Sequence, residues 1–170
     1  AAARVNGKYG YVPSHIAESI VRACDEALEG KFNEHFITDA VQGGAGTSVN
    51  MNVNEVIANR ATELLGGGLG EYLCHPNDHV NCSQSTNDVI PTAGKLTVTE
   101  LANELLASLD ALIFALHQKE IEFDNVIKMG RTQMQDAVPI RLGDEFAAYS
   151  RAVSRDLRRM KAVIKEMYEI

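Results

Sequence analysis

Two long apolar stripes of helical period limit what this chain can fold into. Val98, Leu101, Leu105, Leu109, Leu112 and Leu116 step by three or four, which predicts a helix over about 90–123. At 1.5 Å per residue such a helix is about 50 Å long. A second stripe, Leu142, Phe146, Tyr149, Val153, Leu157, Met160, Ile164 and Met167, runs to the last residues with no capping glycine after it. Helices of this length exceed what a compact domain of 170 residues needs. Leu106 and Ile113 lie off the main stripe of the first helix, so it is apolar on more than one side and calls for further neighbours. The expected fold class is all-α, a small N-terminal helical region followed by long antiparallel helices of a central helical bundle.

Shorter helical patterns occupy about 14–29, opened by Pro13-Ser14, and about 50–65, with Val53, Ile57, Ala61 and Leu64 on one face. Gly66-Gly-Gly-Leu-Gly70 breaks the second. Ala1-Ala-Ala-Arg4 reads as an arbitrary cut. Without sustained strand alternation, residues 124–139 read as a loop between the long helices, with a turn glycine, Gly130, and a helix-starting proline, Pro139. The natural division is 1–86, a helical region with loops, and 87–170, the first long helices of a bundle that continues beyond these residues.

Composition narrows the function. The chain is 45% hydrophobic and 23% charged, ordinary for a globular protein. A net charge of −7 argues against nucleic acid as a partner. No apolar run approaches a membrane span and no basic leader precedes an apolar segment, so no membrane partner and a cytoplasmic location are expected. Cys24, Cys74 and Cys82 are odd in number and share no CxxC spacing, which fits free thiols in a reducing compartment. Cys82 reads as a small buried hydrophobe.

Three polar runs carry the chemistry. His75 to Asp88 holds hydroxyls, amides and small acids with one large apolar residue, Val80, and places Ser85, Thr86 and Asn87 where a helix begins. Hydroxyls and free backbone N–H groups pointing one way suit a carboxylate; helix capping by Asn87 or Asp88 explains those two residues alone but not the polar residues upstream. Gln42-Gly-Gly-Ala-Gly-Thr-Ser48 also leads into a helical pattern, yet no Gly-Lys-Ser/Thr follows and Val49 stands where a dinucleotide fingerprint has its third glycine. It reads as a tight turn able to hold an anion. The third run is Lys128 to Pro139. His75 and His79 are four apart, but Pro76 and the loop-like Asn77-Asp78 oppose the helix that would align them, and no third ligand is evident, so neither metal nor cofactor is expected. Arg155, Arg158, Arg159 and Lys161 form a basic cluster on a solvated or subunit-facing helix surface.

Together the stretches Gly-Gly-Ala-Gly-Thr-Ser-Val-Asn-Met-Asn (43–52), His-Pro-Asn-Asp-His-Val-Asn (75–81), Ser-Gln-Ser-Thr-Asn-Asp (83–88) and Gly-Arg-Thr-Gln-Met-Gln-Asp-Ala-Val-Pro (130–139) resemble the ordered motifs of the aspartase/fumarase superfamily of lyases. The similarity runs along nearly the whole chain. It implies a central bundle that assembles into a homotetramer and a small dicarboxylate or amino-acid substrate. Thr47, Ser85 and Thr86 would hold the carboxylate that becomes an aci-acid, Asn87 would sit near the amino group, and Thr132 and Gln133 would contact the other carboxylate or the amino group. His75, Asn77 and Asp78 would form a second, peripheral anion site, as in some relatives. The family's Gly-Ser-Ser-x-Met-Pro-x-Lys-x-Asn-Pro loop, which carries the general-base serine, does not occur in the sequence, so no catalytic base is expected among these residues and the chain by itself is expected to be inactive.

Hydratases of the superfamily typically carry His after Gly-Arg-Thr and Thr-Gly-Ser-Gly-Thr in the first motif. This chain has Gln133 and Gly43-Gly-Ala-Gly-Thr47, and Ser85-Thr-Asn87 in place of Ser-Ser-Asn. These differences lean toward elimination of ammonia from L-aspartate to give fumarate. Interconversion of malate and fumarate is the alternative, and a helical oligomerisation module without catalysis is a third reading. Thr47 as a turn residue, Ser85 and Thr86 as helix-start residues, and Thr132 and Gln133 as loop polar residues are the corresponding structural roles.

Overall fold

In the computed structural model the described residues, 1–42 and 44–169, form five α-helices, two single helical turns and one two-stranded hairpin. They group into two compact units, Ala1–Ala93 and Gly94–Ile170. The division falls inside the longest helix.

The first unit contains α1 (Ala2–Tyr9), α2 (Ser14–Leu28), a 3-10 turn (Asn33–His35), α3 (Thr47–Leu64), a π turn (Pro76–Val80) and the start of α4 (Thr86–Glu122). Ala2 to Arg4 make the first turn of α1, and Ala3 packs at the edge of the core. Pro13 fixes φ at −54° just before α2, and the spacing Ile16, Ala17, Ile20, Ala23 then buries one helical face. α3 supplies Ile57, Ala58 and Ala61, and Val12, Cys74 and Val80 close the cluster. Small residues let these helices approach closely. A Cβ on Gly7 would stand 2.7 Å from the Ala17 Cβ, so α1 crosses α2 at a point where only glycine fits.

Polar contacts hold the same elements in register. Arg60 of α3 donates to both carboxylate oxygens of Glu26 on α2, at 2.6 Å and 3.2 Å, which holds the Glu26 carboxyl below its ordinary range. Past the glycine break the Cys74 N–H donates to the buried Thr62 Oγ1 at 3.1 Å, returning the chain to the core. Burial pushes the Cys74 thiol up to about 11 and raises that of Cys24.

The second unit holds the rest of α4, strands β1 (Ile127–Thr132) and β2 (Gln135–Arg141), and α5 (Leu142–Glu166). α4 and α5 run antiparallel. Phe123 stacks on Phe146 with ring centroids 5.5 Å apart, Glu120 meets Arg151 at 4.0 Å, Asp110 meets Lys161 at 3.8 Å, and Lys95 donates to the Glu169 carbonyl. At the close end a Cβ on Gly143 would lie 2.6 Å from the Glu120 carbonyl oxygen. The shielded side of α4 shares only Leu109 and Leu116 with the stripe read from sequence. Ala102 is buried and Leu106, Leu109, Ile113 and Leu116 are half-buried, a four-three alternation, whereas Val98, Leu101, Leu105 and Leu112 are exposed.

The 124–139 segment is a hairpin rather than the expected loop. Ile127 pairs with Arg141, Met129 with Pro139 and Thr132 with Gln135, with a register shift between Met129 and Arg131. Pro139 therefore sits inside β2, where a two-stranded sheet has only edges and tolerates a missing donor, and α5 starts three residues later at Leu142. No helix of the described residues is long and apolar enough to cross a membrane.

Candidate active site

Two helix starts come together in the first unit. α3 begins at Thr47 behind Gly46, whose φ of +85° suits glycine, and α4 begins at Thr86. A Cβ on Gly46 would be 2.9 Å from Ile90 Cγ2, so glycine is required both for backbone conformation and for the close approach of α3 to the first turns of α4. Asn50 of α3 bridges the same gap by donating to Thr86 Oγ1 at 3.0 Å. The start of α3 has no side-chain cap on its first-turn N–H groups, and the hydroxyls of Thr47, Ser48, Ser85 and Thr86 stand at the two helix starts. Gly43 of the glycine-rich loop lies outside the described residues.

Of the residues singled out in sequence, Thr47, Ser85 and Asn87 are exposed and Thr86 is half-buried. Ser85 is the capping residue of α4, in place of Asn87 or Asp88, and its Oγ accepts from the Asn87 N–H at 3.3 Å. Pro91 lies in the second turn, where its missing N–H leaves the Asn87 carbonyl without its helical partner. Thr132 and Gln133 lie in the second unit at the tip of the hairpin, both exposed. The two turn residues, Gln133 and Met134, have φ of +49° and +62°, a left-handed pair that usually belongs to Asn and Gly. Met134 is 99% exposed.

His75, Asn77 and Asp78 fall in or beside the π turn, which replaces the loop expected there. His75 Nδ1 accepts from the Asp78 N–H at 3.2 Å and His79 Nδ1 accepts from the His75 N–H at 2.9 Å. Both imidazoles therefore accept from backbone N–H groups through Nδ1, which leaves the ring hydrogen of the neutral form on Nε2. Asn77 is exposed. Among the described residues no three His, Cys, Asp or Glu side chains cluster as a metal site.

Sequence reasoning missed a set of carboxamides behind the helix starts. Asn50 and Asn54, each 5% exposed, both donate to Asn81 Oδ1, at 3.2 Å and 3.0 Å, and Asn81 Nδ2 donates to the Gln84 carbonyl at 3.2 Å. The available signal was spacing: Asn50 and Asn54 are four apart and continue the face that carries Ile57, Ala58 and Ala61 into the core. A buried polar pair on that face must have partners.

A family model described as lyase matches residues 1–169, and the chain belongs to that family, the aspartase/fumarase lyases. It is 52% identical to aspartate ammonia-lyase of Bacillus subtilis (strain 168) over 171 residues, covering 100% of this chain and 36% of that protein. It is 51% identical to mitochondrial fumarate hydratase of Rattus norvegicus over 172 residues, covering 100% of this chain and 34% of the relative. A crystal structure of fumarate lyase:delta crystallin from Brucella melitensis in native form superposes with a TM-score of 0.82 at 49% identity, over 99% of this chain and 40% of that one. The chain thus spans little more than a third of the length of the curated relatives it matches.

Proposed function

We propose that the protein carrying this chain is an aspartate ammonia-lyase, which eliminates ammonia from L-aspartate to give fumarate. The observation that carries the reading is the convergence of the α3 and α4 starts, with Thr47, Ser85 and Thr86 at the junction. Removing a proton beside a carboxylate generates a doubly charged aci-carboxylate, which preorganised N–H and O–H donors stabilise without reorganising. One such donor is worth about 3 kcal/mol when removed in other enzymes. In this reading Thr47, Ser85 and Thr86 bind the carboxylate that takes up charge and Asn87 lies near the amino group. Thr132 and Gln133 contact the other carboxylate or the amino group, and His75, Asn77 and Asp78 offer a peripheral anion site.

The base is assigned to the family's serine loop, whose Gly-Ser-Ser-x-Met-Pro pattern this sequence does not contain. The 170 residues alone are accordingly proposed to be inactive. We further assign 1–86 to the family's first domain and 87–170 to its central bundle, with a homotetrameric, cytoplasmic enzyme as the assembled form. The exposed apolar residues Leu101, Leu105 and Leu112 of α4 support that assembly.

Gln133 favours aspartate; identities of 52% to aspartate ammonia-lyase of Bacillus subtilis and 51% to a rat fumarate hydratase are nearly equal, which makes malate the second reading. Absorbance of fumarate, followed with the full-length enzyme on aspartate and separately on malate, decides between them. Faster turnover of aspartate is expected, and faster turnover of malate would transfer the assignment to the hydratase.

A further inference from the structure

The buried carboxamides do more than fill space between helices. A backbone carbonyl only accepts, so the Gln84 carbonyl, 3.2 Å from Asn81, requires the Asn81 NH₂ on its side and turns Asn81 Oδ1 toward α3. That oxygen accepts from both Asn50 Nδ2 and Asn54 Nδ2, at 3.2 Å and 3.0 Å, which fills its two lone pairs and fixes both amides with NH₂ toward Asn81. The second hydrogen of Asn50 Nδ2 then has one destination, Thr86 Oγ1 at 3.0 Å. Gln84 itself is anchored by its side-chain amide, which donates to the Val80 carbonyl at 2.8 Å. Reversing any amide in the series would set two acceptors or two donors face to face inside a region where Asn50 and Asn54 are buried.

We propose that Asn50 is a positioning residue that fixes the direction of the Thr86 hydroxyl: it supplies the proton Thr86 accepts, so that the Thr86 O–H donates outward to the substrate carboxylate. A lone threonine hydroxyl rotates to suit its surroundings and donates or accepts. With Asn50 donating to it, Thr86 keeps its own hydrogen for an acceptor outside the network. The polarity is set three hydrogen bonds away by a main-chain carbonyl, through Asn81 and Asn50. This inference rests on the reading of Thr86 as a substrate donor, and it adds how that donor is kept in the donating sense.

A double-mutant cycle in the full-length enzyme tests it, with Asn50→Ala and the near-isosteric Asn50→Asp each made in the native and the Thr86→Val backgrounds. In the native background Asn50→Ala is expected to lower kcat/KM about tenfold, and Asn50→Asp more, because a carboxylate takes the Thr86 proton inward. In the Thr86→Val background neither change is expected to lower kcat/KM by more than about twofold, since no hydroxyl remains to be directed. Equal losses in both backgrounds would overturn the proposal, because a purely structural or charge-repulsion effect persists without the hydroxyl. Should Asn50→Ala fail to fold, the Asn50→Asp arm gives the same comparison. The cycle is read on whichever of aspartate and malate the enzyme turns over faster, so an error in the substrate assignment leaves its outcome intact.

Discussion

The two units stabilise themselves differently. The first closes a core of small and branched residues from α1, α2 and α3 and pins it with buried amides and a bidentate Arg60 to Glu26 pair. The second is an antiparallel helix pair with a hairpin; it buries few apolar residues, Ala102, Ala147 and Leu157, adds surface charge pairs and an aromatic stack, and leaves Leu101 61% exposed. A helix pair has one seam to bury, whereas three crossing helices enclose a volume. Hydroxyls at the α3 and α4 starts stand on the enclosed part; Gln133 stands on a hairpin tip.

The largest contrast should come from truncating one apolar residue in each unit. Ile20→Ala, at a position 2% exposed, is expected to destabilise the first unit by about 2–5 kcal/mol, and Leu101→Ala to cost less than about 1 kcal/mol in this chain. Denaturant melts with a probe in each unit would check both, and equal losses would erase the distinction.

The sites should separate next. Ser85→Ala in the full-length enzyme is expected to lower kcat/KM about 10²-fold while changing stability by about 1 kcal/mol through loss of the cap. Steady-state kinetics beside thermal melts measure both. Native kinetics with a large fall in Tm would reduce Ser85 to a cap. The exposed Gln133→His is expected to act on substrate preference rather than stability, shifting the ratio of aspartate to malate turnover toward malate.

A smaller difference should appear with pH. The Glu26 carboxyl has its folded pKa below the unfolded value because Arg60 hydrogen-bonds the carboxylate, so its contribution is present above the ordinary carboxylate range and is lost as pH falls through the depressed folded value. Acid titration should weaken the first unit over that window, and Glu26→Gln should flatten this part of the curve. The smallest effect concerns thiols. At pH 8 iodoacetamide should label Cys82 well before Cys24 and Cys74, whose thiols burial holds protonated, as peptide mapping over time would show.

Periodicity made the helices legible, because a buried face repeats over several turns in α2, α3, α4 and α5. It did not distinguish which side of α4 is shielded: with leucines on both, Leu106 and Ile113 looked peripheral although they belong to the better-covered side. The hairpin was illegible for a different reason. Its turn is Gln133-Met134 in a left-handed conformation, without the Asn or Gly that ordinarily announces such a turn, and Pro139 reads as a helix start. Thr47, Ser85 and Thr86 were visible as hydroxyls before apolar stripes, but Asn50, Asn54 and Asn81 were not, since a buried asparagine differs from a surface one only in its partners.

Gly46 has a thermodynamic consequence. By letting α3 and α4 start beside each other it sets two like dipole ends together, each equivalent to roughly half a positive charge. Like ends repel, and the dianion that the proposed function places there would offset that repulsion in both helices at once. On the proposed function, ligand binding and folding would be linked through that glycine: the stability of the full-length enzyme should climb with dicarboxylate concentration as RT ln(1 + [L]/Kd), and a residue with a side chain at position 46 should weaken that climb together with affinity.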